Sequence, residues 1–424
     1  MTPEGRPPST GRNSPSGRRP PADHSAAGAV DRAPAGSAGL VDRIRTEIES
    51  SRDGRITFAR YMERVLYEPE LGYYRSLADR PTDTGDFLTA PETHAIFGWT
   101  VARRIESLWA ELGRPRPLHL IEYGAGSGTL GLSVLDGFRR HGATELLDAV
   151  RYEPVESNPH RLADLRERFE KAGLAGSLAA AGSPVIGSVP VAGVILANEF
   201  LDAMPVHRVV VLGGELRELF VTWNAGSGDV PAPGRGGREA PGGFAEVAAE
   251  PSTPDLSARL EDDTVELAEG QVAEISFGLA PWLDEAAARL NRGYVVAIDY
   301  GYDAGELYGP RRLAGSLLGY RGHRVETDPF AAPGLTDLTA HVDFTAVQRL
   351  AAARGFRTVS LTTQSEFLVA AGLEEELRAL QASPDLALAD YTRARSGIVR
   401  MLDPRHMGRF RVLLLDRGRA GTDQ

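Results

Sequence analysis

The segment LHLIEYGAGSGTLG, residues 118–131, constrains this chain more than any other stretch. A short apolar run reads as a buried strand and a glycine cluster interrupts it. Leu130, Val134, Leu135 and Phe138 then recur at helical spacing. A strand that passes to a helix through Gly124, Gly126 and Gly128 is a building unit of a parallel α/β sheet. Glycines at such a turn admit dihedrals closed to other residues and let backbone approach a ligand. The helix N-terminus beyond them offers unpaired N–H groups and positive potential.

The alternation continues. RYEPVE (151–156) reads as a second strand, followed by a helix bearing Leu162, Leu165 and Phe169. A weak third strand is expected near 184–187. AGVILAN (192–198) is the fourth, GYVVAIDYG (293–301) the fifth, and FRTVSLTT (356–363) and FRVLLLD (410–416) complete the set. Strands separated by helices imply a mostly parallel sheet covered on both faces. Upstream, Val41, Ile44 and Ile48, then Phe58, Met62 and Val65 after the expected N-cap Thr57, predict helices. Phe97, Val101, Ile105, Leu108 and Leu112 predict a longer one. HRVVVLGGELRELFVTW (207–223) predicts a hairpin turning at Gly213-Gly214.

Residues 1–38 hold Pro, Gly, Ser, Ala and Arg with scarcely a large apolar side chain, and are expected to form a disordered tail. Its arginines invite comparison with a mitochondrial presequence, but the prolines and Glu4, Asp23 and Asp31 spoil an acid-poor amphipathic helix. With no export or anchoring signal, the expected location is cytoplasmic. The chain has no cysteine, which excludes disulfides and thiolate chemistry. A formal charge of −11 argues against nucleic acid as partner and is compatible with a cationic peptide substrate. No apolar run approaches the ~18 residues of a membrane span.

Two cofactors compete for the glycine loop. Gly126, Gly128 and Gly131 satisfy the G-x-G-x-x-G pattern that seats a dinucleotide pyrophosphate. Gly124, Gly126 and Gly128 equally suit S-adenosylmethionine. Both readings expect an acid at the end of the second strand for ribose hydroxyls, and Glu156 supplies it. Glu122 separates them, because a carboxylate beside the first glycine can face an ammonium but repels a pyrophosphate. A ligand-free tight turn is the bland alternative. Past the fourth strand, ANEFLDAMPVHR brings Asn198, Glu199 and Asp202 to the carboxyl end of the sheet, where open α/β sheets bind ligands. An arginine guanidinium, with a pKa above about 12, is a poor nucleophile. Carboxylates bonded to two of its nitrogens draw the charge toward themselves and leave the third nitrogen better able to attack a sulfonium methyl. Asp202 or Glu199 could instead simply cap the following helix.

These segments carry a resemblance. GDFLTAPE (85–92), IEYGAGSGTL (121–130), VESNPHRL (155–162), ANEFLDAMPVHR (197–208), VAIDYGY (296–302), GSLLGYRGHR (315–324), TAHVDFT (339–345) and TQSEFL (363–368) run in one order. Together they resemble the MidA-like, S-adenosylmethionine-dependent methyltransferases over about residues 56–415. The resemblance implies a class I Rossmann-like α/β fold of seven strands, ordered 3-2-1-4-5-7-6 with the last antiparallel. It implies an N-terminal helical segment (39–113) and a methyltransferase domain (114–424) whose insertion at 206–292 covers the acceptor. A mitochondrial member is a protein arginine methyltransferase acting on a respiratory complex I subunit, which implies a protein acceptor here. The resemblance places the cofactor loop on Gly124, Gly126 and Gly128, the ribose acid on Glu156 and the acids past the fourth strand on Glu199 and Asp202; the residues themselves add Glu122, Asn198 and Asp86 as expected cofactor contacts and His341 as an expected catalytic residue. Thr93-His94 and the Gly/Pro-rich 224–245 stretch depart from the family pattern.

Weaker signals have structural alternatives. Thr89 with Glu92, and Thr363 with Glu366, spell capping boxes. His341 either assists a substrate or packs under a loop, with Asp343 capping the next helix. No pair of histidines has metal-ligand spacing, so no metal is expected. Two other functions stay open: an assembly factor that binds the cofactor without transfer, and an NAD(P)-dependent oxidoreductase.

Overall fold

The computed structural model describes residues 37–76, 89–179, 189–224, 243–383 and 387–418. The central sheet runs in the spatial order Phe356–Thr363, Arg411–Arg417, Leu290–Asp299, Val191–Asn198, Leu118–Tyr123, Val150–Val155. The last four of these strands are mutually parallel, whereas Arg411–Arg417 is antiparallel to both its neighbours. The expected third strand at 184–187 lies outside the described residues, as do most of the 224–245 stretch and nearly all of the N-terminal tail.

Side-chain alternation explains why these runs pair in the interior. Leu118, Leu120, Val194, Leu196, Tyr294, Val296, Ile298, Val412 and Leu414 point to one core. Ile121, Tyr123, Ile195, Ala197, Val295, Ala297, Leu413 and Leu415 point to the other. Strands apolar on both faces need helices on both sides. Ile96–Glu111, Thr129–Arg140 and Pro159–Lys171 cover the first face, and Leu279–Arg289 and Phe344–Ala352 the second. The first two of these helices approach closely at Gly98 and Gly137. A Cβ on Gly98 would stand 2.0 Å from Ser133 Oγ, and one on Gly137 would stand 2.6 Å from Ala102 Cβ.

A second sheet grows from the insertion. Glu215–Asn224 pairs with Val206–Leu212, with Gly243–Ala249 and with Arg55–Thr57, and Val272–Ser276 completes it. The expected turn carries φ of 63° at Gly213 and 79° at Gly214. The segment 39–113 is thus not purely helical. Arg55–Thr57 is a strand, too short for alternation to announce it, and the first helix spans Ala38–Ser50, one residue before the expected start. Thr57 caps the next helix, Phe58–Tyr67, as expected, accepting the Arg60 amide at 3.1 Å. Helices Ala38–Ser50 and Phe58–Tyr67 bury Leu40, Ile44, Tyr61 and Met62 against Val206 and Val221 of this sheet.

Candidate active site

A cavity of about 600 Å³ opens at the carboxyl ends of the parallel strands. Tyr123, Val155, Asn198 and Tyr300, each at or just past the end of a different strand, all line it. The volume is in the range of small-molecule sites.

One wall is the glycine loop. Gly124, Gly126 and Gly128 have φ of 68°, 53° and 78°, a region that side chains with a Cβ rarely adopt. Gly124 and Gly126 line the cavity. Gly128 does not: a Cβ there would stand 2.7 Å from Leu165 Cγ, so its part is to let the loop pack on helix Pro159–Lys171. Arg168, on that helix, clasps the loop from outside, donating to the Ser127 carbonyl at 2.9 Å and to Thr129 Oγ1 at 2.9 Å.

Beneath the loop Glu122 is buried and lines the cavity. Its Oε2 accepts the Tyr152 hydroxyl at 2.7 Å. Burial pushes its carboxyl up to about 7, against the Tyr152 hydroxyl and the Gly131 amide. The fourth glycine of the string belongs to this arrangement, since a Cβ on Gly131 would fall 2.3 Å from Tyr152 Cζ. Glu156 ties the loop to the next element. Its Oε2 accepts the Gly126 amide at 3.0 Å and its Oε1 the Asn158 amide at 2.8 Å. Asn158, fully buried, caps helix Pro159–Lys171 and donates to the Tyr74 carbonyl at 2.8 Å, anchoring the N-terminal segment there.

The opposite wall is acidic. Glu199 has φ of 49°, unusual for a residue with a side chain, and its Oε1 accepts the Ala90 amide at 3.3 Å and Asn198 Nδ2 at 3.2 Å. Burial and the nearby Asp202 push its carboxyl up to about 8. Burial likewise lifts Asp202 to about 6, against a hydrogen bond from the Tyr300 hydroxyl. Behind both, Asp299 is wholly buried, and its Oδ2 accepts the amides of Phe200, Leu201 and Asp202 at 3.1, 2.8 and 3.3 Å. The largest causes of the shifts of Glu199, Asp202 and Asp299 are burial, neighbouring carboxyls and hydrogen bonds, none of them a cation.

Of the residues expected from sequence, Glu122, Gly124, Gly126, Glu156, Asn198, Glu199 and Asp202 come together around this cavity. Asp86 lies outside the described residues. His341 does not reach the cavity lining. It is packed edge-on against Tyr300 with ring centroids 5.4 Å apart, its Nδ1 buried. Burial, with Arg312 and Arg409, holds its ring down at about 4, so it is neutral near pH 7. Asp343 caps the following helix through the Ala346 amide, so this histidine packs as the structural alternative expected, under the loop. Both capping boxes form. His94 of the divergent Thr93-His94 pair accepts the Ile96 amide at 3.0 Å, a helix-start role. Sequence reasoning missed Asp299, Tyr300, Asn158 and Arg168. Asp299 and Tyr300 stood in the quoted string VAIDYGY at a strand end, and Asn158-Pro159 is a cap-then-proline signature, so both were readable.

Residues 100–362 match the model of a family described as S-adenosyl-L-methionine-dependent methyltransferase. A relative in Drosophila melanogaster, named protein arginine methyltransferase NDUFAF7 homolog, mitochondrial, is 30% identical over 415 residues, covering 91% of this chain and 87% of its own. The human protein arginine methyltransferase NDUFAF7, mitochondrial, is 28% identical, covering 77% of this chain and 72% of its own. A crystal structure from Burkholderia thailandensis bound to S-adenosyl-homocysteine has a TM-score of 0.76 at 30% identity, covering 90% of this chain and 93% of that one. The expected cytoplasmic location is corrected by these relatives, which are named as mitochondrial proteins. The dinucleotide reading gives way too. The cavity fits S-adenosylmethionine on its own terms: a Cβ-free cradle at Gly124 and Gly126, a carboxyl at Glu122, a strand-end acid at Glu156, and a buried Asn198 Oδ1 with no hydrogen-bond partner among the described residues. The chain belongs to the MidA-like family of S-adenosylmethionine-dependent methyltransferases.

Proposed function

We propose that this methyltransferase acts on an arginine side chain of a protein. The observation that carries the reading is the pair of buried carboxyls, Glu199 and Asp202, facing the cavity without a cationic partner among the described residues. Carboxyls held this far above their usual range await a positive charge, because a cation restores the ionised form that burial opposes. A guanidinium offers that charge with N–H groups in a fork suited to two carboxylates. The relatives named as protein arginine methyltransferases support the same acceptor.

Glu122, Gly124, Gly126, Glu156 and Asn198 would hold the cofactor, which supplies an electrophilic methyl group when bound. Glu199 and Asp202 orient the guanidinium and draw its charge toward two nitrogens, leaving the third to attack. As the new C–N bond forms, that nitrogen sheds one proton, and Glu199 or Asp202 is placed to take it. Asp299 positions both by fixing the backbone between them. Alignment of this kind supplies much of the acceleration in a transfer between two bound partners. In this reading the 39–113 segment and the 206–292 insertion cover the acceptor side.

The test is radiolabelled S-adenosylmethionine incubated with the protein and a cell lysate, followed by acid hydrolysis of the labelled protein and amino-acid analysis. Label in methylarginine supports the proposal. Label in any other residue refutes the acceptor, and no label would leave a cofactor-binding assembly factor as the better description.

A further inference from the structure

The strand Asp337–Thr339 has no part in the transfer described so far, yet it forms one wall of the cavity. Alternation puts Asp337 and Thr339 on one face and Leu338 on the other. The first two line the cavity, and Leu338 is buried in the core that holds Leu40 and Val206. Ala340, the next residue, donates its amide to the Asp202 carbonyl at 2.9 Å, which fastens this wall to the loop bearing Glu199 and Asp202. Thr339 is 4% exposed. Its hydroxyl, although near that of Tyr300, makes no well-formed hydrogen bond among the described residues. A buried hydroxyl left this way on a cavity wall marks a place for a ligand group.

Asp337 brings a third carboxyl to the acceptor half, and it stands apart from the other two. Tyr67 and Tyr74 stack with ring centroids 5.4 Å apart and 27° between their planes. Their hydroxyls serve different ends of the wall. Tyr67 donates at 2.8 Å to the carbonyl of Ala203, beside Asp202, and Tyr74 donates at 2.7 Å to Asp337 Oδ1. Tyr320, directly opposite Asp337 across the strand pair, lines the cavity with them. Burial raises all three tyrosine hydroxyls, and Asp202 and Asp337 each raise them further. Asp337 is not among the largest causes of the shifts of Glu199 and Asp202. The rings therefore stand between the acids. Asp337 is half-buried where Asp202 is buried, which sets it nearer the opening.

One guanidinium cannot serve carboxyls on both sides of such a partition. Bonded to Glu199 and Asp202, it leaves Asp337 in a cavity whose basic lining residues are His160 and Arg161, both on helix Pro159–Lys171 beside the cofactor loop. Arg409 acts on Tyr320 but does not line the cavity. Thr339, at the Tyr300 end, is placed to accept from the entering guanidinium, and Asp337 lies two residues away along the strand. That step spans about 7 Å, within reach of side chains from neighbouring residues of a bound segment. A second cation there meets a carboxylate and the faces of tyrosine rings together.

We propose that Asp337 is a specificity-determining residue that binds a second cationic side chain, so that the preferred acceptor is an arginine with a basic neighbour. The proposal rests on the arginine reading of Glu199 and Asp202 and adds to it the kind of sequence in which that arginine lies. Tyr74 aims the Asp337 carboxyl through its hydroxyl.

The test uses the full-length protein saturated with S-adenosylhomocysteine and three fluorescent peptides of one length, read by anisotropy at physiological ionic strength. One has lysines beside its only arginine. One has the same composition with the lysines moved to the far end, so that general attraction to an acidic protein is matched. The last has citrulline in place of the arginine of the first. The peptide with adjacent lysines is expected to bind about tenfold tighter than its rearranged counterpart. In Asp337→Asn that gap closes, with S-adenosylhomocysteine binding by calorimetry unchanged. Should this variant fail to fold, Tyr74→Phe keeps the charge but loosens its aim, and the gap should narrow. Equal affinity for the two arginine peptides, undetectable binding of the first, or a gap that the substitution leaves intact overturns the assignment. If the citrulline peptide binds as tightly as its arginine counterpart and still needs Asp337, the cation subsite stands and the arginine reading of Glu199 and Asp202 falls.

Discussion

Asp299 Oδ2 accepts the Leu201 amide at 2.8 Å, and through this bond and its neighbours a buried strand end shapes the loop that bears Glu199 and Asp202. The Tyr300 amide donates to the other oxygen at 2.9 Å, so four backbone N–H groups converge on one side chain. That convergence holds Glu199 in a left-handed backbone conformation which, for a residue with a side chain, costs about 1–2 kcal/mol.

Asp299→Asn replaces one accepting oxygen with an N–H₂ group facing backbone donors. The variant should lose about 1–3 kcal/mol of stability and transfer methyl groups more slowly, while S-adenosylhomocysteine still binds. Urea denaturation and calorimetry check both parts. An unshifted midpoint with full turnover would remove Asp299 as a positioning residue.

Stability should fall as pH rises across neutrality. The Glu199 and Asp202 carboxyls in the folded chain lie at about 8 and about 6, above their ordinary values of 4.5 and 3.8. A group whose folded value is raised contributes stability that is fully present below its unfolded value and lost as pH climbs through the folded one. The ligand-free protein should therefore be more stable near pH ~5 than near pH ~8.5, with the loss spread between those limits. Glu199→Gln should flatten the upper part of that curve. Binding of an arginine peptide runs the other way, strengthening as the carboxyls ionise and releasing protons, which calorimetry in buffers of different ionisation enthalpy would detect.

Gly126→Val places a β-branched side chain at φ of 53° on the cavity wall. Cofactor binding should be lost, and calorimetry with S-adenosylhomocysteine reads it directly. Glu199→Gln, by contrast, should bind the cofactor normally and slow transfer by about a hundredfold, in line with the loss of a positioned acid–base group. If turnover is unchanged, Glu199 leaves the catalytic set.

Gly131→Ala would force its new methyl against Tyr152, whose Cζ and hydroxyl stand 2.3 and 2.5 Å from the added Cβ. Both neighbours sit in a packed core, so overpacking should cost about 1–3 kcal/mol. The displaced ring should also release its hydrogen bond to Glu122 and raise that carboxyl further. Thermal denaturation measures the first effect. A melting temperature equal to that of the parent chain would mean that Tyr152 can move without strain.

The sheet was legible wherever local periodicity was strong. Strands such as Val191–Asn198 and Arg411–Arg417 announce themselves by continuous apolar runs, and the caps at Thr57, Thr89 and Thr363 by residue type and spacing. Arg55–Thr57 was not legible, because three residues with one buried side chain carry no period and only their partner strand defines them. Nor could spacing reveal that Gly128 serves packing while Gly126 faces the cavity, since the distinction depends on Leu165 from the next helix.

By itself the sequence determined the parallel α/β architecture, the glycine-loop cofactor site and the strand ends at which acids collect, because these follow from hydrophobic period and local backbone chemistry. Only the tertiary structure decided which acids lie together. Glu199 and Asp202 meet Asp299 from a strand nearly a hundred residues away, and the resulting burial and like charge set their protonation. His341, alike in sequence as a candidate, was placed behind Tyr300 instead. Burial and charge–charge proximity are properties of neighbours in space, and no local pattern encodes them.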